Sequence, residues 1–196
     1  DAAPLSGKQI LCAPLDLPLV QRFFAAIGLA IDIRPDSALE SGQLRSASRA
    51  RIPDAPPPRG YSFRNAPEGF AARAADREGL YAALQTLWHL LDAAAALPSC
   101  EFMDWPAVAT RGFQLDLGRQ AETPAEIRRL LRQQARYHFN ECHLYLENAI
   151  RLPCLGDAAD PEGLSLEDFA TVQEFGRDVG IDVVPSLNLL GHMEII

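Results

Sequence analysis

The sequence predicts an α/β protein in two parts. A small α+β leading domain covers residues 1–100, and an alternating β-α-β-α-β run covers residues 101–196. Three observations carry this reading. Phe113, Leu115 and Leu117 alternate with Gln114 and Asp116, the period of a strand, and a helix start follows directly. Two helix-start signatures, Thr123-Pro124-Ala125-Glu126 and Ser165 to Asp168, each lie between strand-like stretches. Before them, a proline-rich run leads into a short hairpin and one long amphipathic helix, a different pattern from the second half.

In chain order, Leu11 to Leu15 reads as a short strand and Pro18 to Ala26 as a helix, with Asp16 near its start and Gly28 at its end. Ile31 to Ile33 reads as a second strand. Ser37 to Ala50 is polar and small, as in a surface loop or a frayed helix. Pro53, Pro56, Pro57, Pro58 and Gly60 make an extended connector that cannot form a ladder. Tyr61–Asn65 and Gly69–Ala74 flank the turn at Pro67-Glu68. Asp76 is placed to cap a helix from Arg77 to about Ala96, where Leu80, Ala83, Leu84, Leu87, Leu90 and Leu91 share one side and Pro98 ends it. The second half then gives a strand over Thr110–Leu117, a helix to about His138, a strand over Glu141–Glu147 and a Pro/Gly/Asp loop over Leu152–Gly163. A helix to Val179, stopped by Gly180, and a strand over Asp182–Leu187 complete it. Strand, helix and strand in succession imply parallel pairing. An open doubly wound sheet and the first three units of an eight-fold barrel both satisfy it.

The formal charge is −8, with Lys8 the single lysine. An acidic chain without a basic run is a poor partner for a phosphate backbone, so no nucleic acid is expected. No apolar run is long enough to span a bilayer, since Gln85, His89 and Asp92 interrupt the greasiest stretch. The first residue is Asp1 rather than Met, as after signal-peptide cleavage or trimming for expression. A secreted or periplasmic protein is the expectation, and a cytoplasmic one stays open. Cys12, Cys100, Cys142 and Cys154 are widely spaced with no CxxC, which argues against a zinc cluster and leaves disulfides open.

The polar residues at the strand ends are the candidates for chemistry, because parallel sheets gather ligands at their carboxyl ends. Arg111 stands beside Gly112, where a ligand can approach closely, and a guanidinium can grip hydroxyls or a carboxylate through two bonds. Its structural alternative is an ion pair with Asp104, Asp116 or Glu147. Asp116 and Arg119 end the first strand, where they could instead form a loop-shaping salt bridge. Glu147 and Asn148 end the second, where they could also cap the following loop. Asn188 and His192 are the polar points after the third. His138 and His143 read as structural. No Gly-rich phosphate loop, Gly-x-Ser-x-Gly elbow or His-Glu-x-x-His is present. Polar groups converging on one rim above an apolar barrel would suit a small polar ligand such as a sugar.

The ordered series resembles a known family. Asp104-Trp105-Pro106, Arg111-Gly112-Phe113, Leu115-Asp116 and Arg119 come first. Asn140 with His143-Leu144, Gly180 to Pro185, and Gly191-His192 follow. Together they look like the start of the catalytic barrel of family 20 β-N-acetylhexosaminidases. Tyr61-Ser62-Phe63, Ala75 to Tyr81 and Leu84 to Leu87 resemble the small α+β domain that precedes that barrel. The resemblance spans roughly residues 50–196 and selects a TIM-type barrel, of which this chain would hold the first three β/α units.

What the resemblance implies is retaining hydrolysis of terminal N-acetylhexosamine, without metal or cofactor, in which the substrate's own acetamido oxygen attacks the anomeric carbon. An Asp-Glu pair on strand four assists; it would lie beyond Ile196. Arg111 is implied as a sugar-hydroxyl contact, with Asp116, Glu147, Asn148 and Asn188 as further substrate-binding candidates, and His192 as part of a relay tuning the general acid. The family's Pro-Glu-Ile-Asp-x-Pro-Gly-His reads here Pro185-Ser186-Leu187-Asn188-Leu189-Leu190-Gly191-His192, and its Thr-Asp-Asp is replaced around Glu147-Asn148-Ala149. A non-catalytic carbohydrate-binding or scaffold relative is the alternative. Three β/α units cannot close a barrel, so an open edge and an uncovered apolar inner face are expected. The chain would then be part of a longer protein or a homo-oligomer through that edge; the apolar Ile195-Ile196 favours the first.

Overall fold

A computed structural model describes residues 9–92 and 99–188. The chain divides into two compact units, Asp1–Ala109 and Thr110–Ile196. The division falls later than residue 100 because Cys100–Asp104 is a strand of the first sheet, pairing with Tyr61–Asn65.

The first unit contains β1 (Ile10–Cys12), α1 (Leu17–Ile27), β2 (Ile33–Pro35), β3 (Gln43–Arg45), β4 (Tyr61–Ala66), β5 (Gly69–Ala74), α2 (Arg77–Asp92) and β6 (Cys100–Asp104). The strand order is β2-β1-β3-β5-β4-β6, with β1 and β2 parallel and the other pairs antiparallel. Both helices contribute to one core. Val20, Phe23, Phe24 and Ile27 of α1 and Leu80, Ala83, Leu84 and Leu87 of α2 are buried, and Phe23 meets Tyr81 at 6.3 Å between ring centroids. On the sheet, Phe63 stacks between Phe70 and Phe102 at 5.9 and 5.4 Å. Asp76 caps α2 as expected, accepting from the Gly79 amide at 2.9 Å, and also accepts from the Arg59 amide at 2.8 Å. Asp16 does not cap α1 with its side chain. Its carboxylate accepts from Ser41 Oγ at 2.9 Å and the Gly42 amide at 2.6 Å, fastening the helix start to the loop before β3.

Strands β1 and β2 are offset from the expected Leu11–Leu15 and Ile31–Ile33, and two further strands lie where none was expected. Gln43–Arg45 lies in the stretch read as a loop or frayed helix, and Cys100–Asp104 was not expected as a strand at all. Each has polar residues flanking a lone apolar one or sits at the sheet edge with most positions exposed, so neither carries a strong alternation. The expected end of α2 near Ala96 lies outside the described residues.

The second unit contains β7 (Gly112–Asp116), α3 (Pro124–Arg136), β8 (Glu141–Tyr145), α4 (Leu166–Val179) and β9 (Asp182–Ser186). The strands are parallel in the order β7-β8-β9. Helix α3 packs against α4, so both lie on one side of the sheet. Ser165 and Asp168 form the full reciprocal capping box. At α3 only the Thr123 half forms: its Oγ1 accepts from the Glu126 amide at 3.2 Å, while the Glu126 carboxylate turns to Arg129 at 2.6 and 2.8 Å.

Registry sorts the two faces of this sheet. Phe113, Cys142 and Val183 align, as do Leu115 and Leu144, and Cys142 and Leu144 are fully buried on the helix side. On the opposite face Gln114, His143 and Val184 form one row, and Asp116, Tyr145 and Ser186 the next. The expected apolar inner face is therefore polar except at Val184. The strands alternate, as half-buried strands do; strands buried in apolar surroundings on both faces would read as continuous apolar runs.

All four cysteines are free thiols. Burial pushes the Cys142 thiol up to about 12, and burial with the neighbouring Asp16 charge pushes Cys12 up to about 11, from an ordinary 9.0. Both folded-state values are raised, so the folded protein holds protons that the unfolded chain releases above pH 9.0. Their stabilisation is complete below that pH. It is lost as pH rises toward the folded values, at about 1.4 kcal/mol per pH unit for each thiol. At pH 8, iodoacetamide is expected to modify exposed Cys154 in the native protein, and Cys12 and Cys142 only after denaturant is added. Peptide mapping of the carbamidomethyl groups reads this out.

Candidate functional site

The carboxyl ends of β7, β8 and β9 form a polar rim. Asp116, Tyr145 and Ser186 are register neighbours on one face, at a strand spacing of about 4.8 Å. Asp116 Oδ1 accepts from the Arg119 amide at 3.1 Å, and Oδ2 lies 3.8 Å from Arg119 Nε. The loop-shaping pair anticipated for these residues therefore forms, while the carboxylate stays on the rim. Asn188 donates from Nδ2 to the Tyr145 hydroxyl at 2.7 Å. An oxygen that accepts there keeps its own proton for another acceptor.

Glu147 follows β8 with φ 43°, in the left-handed region. Such a backbone costs a non-glycine residue about 1–2 kcal/mol. Asn148 serves the loop beyond it: Nδ2 donates to the Ala158 carbonyl at 3.1 Å, and its own carbonyl accepts from the Asp160 amide at 2.9 Å. Of the two residues expected at this strand end, Asn148 has the capping role and Glu147 remains at the rim.

Arg111 is elsewhere. The strand begins at Gly112, so Arg111 precedes it and stands at the amino end of the sheet. Its amide donates to Asn140 Oδ1 at 2.8 Å and its Nε to the His138 carbonyl at 2.6 Å. Asp116 lies five positions further along the chain, roughly 16 Å of rise. The structure thus gathers Asp116, Glu147 and Asn188 at one end and leaves Arg111 at the other. His192 lies outside the described residues. Replacing Arg111 with alanine is expected to cost the second unit about 1–3 kcal/mol through the charge-assisted bond to His138. Calorimetry measures that, and sugar titration of the same variant measures any ligand contact separately.

Tyr145 and Ser186 are rim residues that sequence reasoning missed. Their parity with Asp116 becomes visible only once the register of the strands is known. His143 shares this face deeper in the sheet, with Nε2 2.7 Å from Glu141 Oε1.

This is a parallel sheet backed by helices on one side, with carboxylate, amide and hydroxyl groups at its carboxyl ends, the end at which parallel α/β sheets gather ligands. No family model matches the chain. Its curated relatives include a β-hexosaminidase of Akkermansia muciniphila, 28% identical over 159 aligned positions, a match that covers 69% of this chain and 32% of the relative. An N,N′-diacetylchitobiase of Vibrio harveyi is 23% identical over 160 residues, 64% of this chain and 18% of the relative. Among solved structures, a β-N-acetylhexosaminidase from Bacteroides fragilis matches with a TM-score of 0.76 at 23% identity, covering 100% of this chain and 44% of that one. The GH20 enzyme from Streptomyces coelicolor matches with a TM-score of 0.74 at 19% identity, covering 99% and 44%. The chain is similar in sequence to curated β-hexosaminidases and in fold to solved GH20 β-N-acetylhexosaminidases. It spans about a third or less of the length of the curated relatives it matches.

Proposed function

We propose that this chain supplies the leading α+β domain and the first three β/α units of a (β/α)8 barrel in an enzyme that hydrolyses terminal N-acetylhexosamine residues. The observation that carries this reading is the breadth of the likeness: curated relatives and structural neighbours alike are hexosaminidases or a chitobiase, and the structural matches reach from one end of the chain to the other. The second unit supports it. Consecutive strands lie side by side with both helices on one face, as the opening of such a barrel requires.

In this reading the reaction is retaining and substrate-assisted, with the acetamido oxygen of the sugar as nucleophile. The rim binds and orients the sugar. Asp116 and Glu147 accept hydrogen bonds from hydroxyls, and Tyr145 donates one, its lone pair engaged by Asn188. His192 is retained as part of the relay, while Arg111, at the amino end of the sheet, is left out of the sugar contacts. Residues 1–196 contain no Asp-Glu dipeptide, so the orienting carboxylate and the general acid come from the following strand of the full protein.

The test is release of nitrophenolate from 4-nitrophenyl N-acetyl-β-glucosaminide by the full-length protein. Turnover supports hydrolysis. Binding of N-acetylglucosamine without turnover would replace it by a non-catalytic carbohydrate-binding role, and absence of both overturns the sugar site.

A further inference from the structure

We infer that the loop between β8 and α4 receives the leaving group of the substrate and selects an uncharged, apolar aglycone; this rests on the reading of the rim as a sugar site. Leu146 to Ser165 joins those two elements, whereas Leu117 to Thr123 suffices between β7 and α3. Such connections usually take about 2–6 residues, and a longer one at the carboxyl end of a parallel strand is where α/β enzymes build specificity. This loop has a fixed shape. Arg151 donates from Nη1 to the Gly163 carbonyl at 2.5 Å and to the Pro161 carbonyl at 3.2 Å, and its amide donates to the Leu164 carbonyl at 2.8 Å. Ile150 and Leu164 pair in a parallel bridge and are both buried. A Cβ on Gly163 would stand 2.7 Å from the carbonyl carbon of Ala149, so the two ends of the loop meet backbone to backbone.

The loop encloses an open hollow of about 490 Å³, lined mainly by Leu152, Pro153, Ala159 and Pro161 together with Arg151 and Asp157. That is the size and the largely apolar character of a small-ligand site. Its wall is fastened to the end of β8. Ala159 stands between Ala158, whose carbonyl accepts from Asn148 Nδ2 at 3.1 Å, and Asp160, whose amide donates to the Asn148 carbonyl at 2.9 Å. Asn148 directly follows Glu147 at the rim, so a sugar held there has the hollow beside it. Cleavage of a terminal sugar requires room next to that sugar for the group it leaves. The chemistry of the lining names the group. Leucine, proline and alanine side chains offer apolar surface to an aryl or alkyl aglycone. The charges of Arg151 and Asp157 offset each other, so an ionic aglycone gains nothing there.

The experiment titrates the full-length protein with N-acetylglucosamine and with its methyl and benzyl 1-thio-β-glycosides, which resist hydrolysis. The benzyl compound is expected to bind about tenfold more tightly than the methyl one, through the apolar surface its ring covers. Leu152→Ser should reduce that ratio to about threefold or less while leaving the Kd of N-acetylglucosamine within about twofold. Pro161→Ser is the second variant: it removes an exposed ring from the hollow but keeps the carbonyl that Arg151 grips, and it should act in the same direction. A wild type that binds N-acetylglucosamine but holds the benzyl compound no better than the methyl one overturns the inference alone. So does a benzyl-to-methyl ratio that both substitutions leave intact. Loss of N-acetylglucosamine affinity in step with benzyl affinity overturns it as well, because the loop would then shape the sugar site itself. A wild type that binds none of the three overturns the sugar-site reading and the inference with it.

Discussion

Replacing Gly79 with alanine is expected to unfold the leading unit at temperatures where the wild type is intact. Gly79 lies in the first turn of α2, where its amide donates to Asp76 Oδ1 at 2.9 Å. A Cβ at this position would sit 2.2 Å from the carbonyl oxygen of Gly60, 3.0 Å from its carbonyl carbon and 3.4 Å from that of Arg59. Neither partner can yield. The Gly60 carbonyl accepts from the Ala75 amide at 3.0 Å, the Gly60 amide donates to the Pro57 carbonyl at 3.0 Å, and the Arg59 amide is held by Asp76 at 2.8 Å. Alanine would gain about 1 kcal/mol from helix propensity. That gain is small against a backbone overlap that moves either the helix or the connector, and the net loss is about 3 kcal/mol or more. For a unit of this size the melting transition falls by roughly 10–20 °C. Scanning calorimetry and near-ultraviolet circular dichroism follow it. A variant that melts within about 2 °C of the wild type would show that α2 does not approach Gly60 this closely.

Gly79 also shows what sequence alone can and cannot supply. Within the described residues the helices were legible, since each has a start or stop signal of its own: Pro18 and Gly28 for α1, Asp76 for α2, Thr123-Pro124 for α3, and Ser165 with Gly180 for α4. Those signals act within a few residues. The glycine at 79 answers to a carbonyl nineteen positions away in the connector, and no local pattern reports that. Strand β3 fails for a related reason. Gln43 and Arg45 are polar and only Leu44 is apolar, so its identity depends on β1 and β5 on either side. The candidate site divides the same way. Asp116, Glu147 and Asn188 were found because they end strands, and Tyr145 was not, because its place beside Asp116 is a fact of register. Arg111 was placed in the strand, and the observed start at Gly112 puts it before the strand and away from the rim.

Asp116→Asn is expected to lower kcat/KM for the nitrophenyl glycoside about 10- to 100-fold while leaving the fold in place. The two expectations follow from different contacts of one carboxylate. Structurally, Asp116 accepts from the Arg119 amide at 3.1 Å, a bond that the asparagine oxygen can also accept. The charge pairing with Arg119 is at 3.8 Å, and that arginine side chain is 81% exposed. Such surface pairs contribute about 0–1 kcal/mol, so the melting temperature moves by a few degrees at most. Functionally, a carboxylate accepting from a sugar hydroxyl is worth about 1.5–3 kcal/mol, which is the quoted span in rate by transition-state arithmetic. Arg119→Ala separates the two. If the carboxylate binds ligand, removing its exposed partner leaves kcat/KM within about twofold, whereas Asp116→Asn does not. If the pair serves only to shape the loop, both variants cause the same small loss of stability and neither changes the kinetics. The position of Asp116 favours the first outcome: it is the carboxylate in line with Tyr145 and Ser186 across all three strands, on the face that the helices leave uncovered.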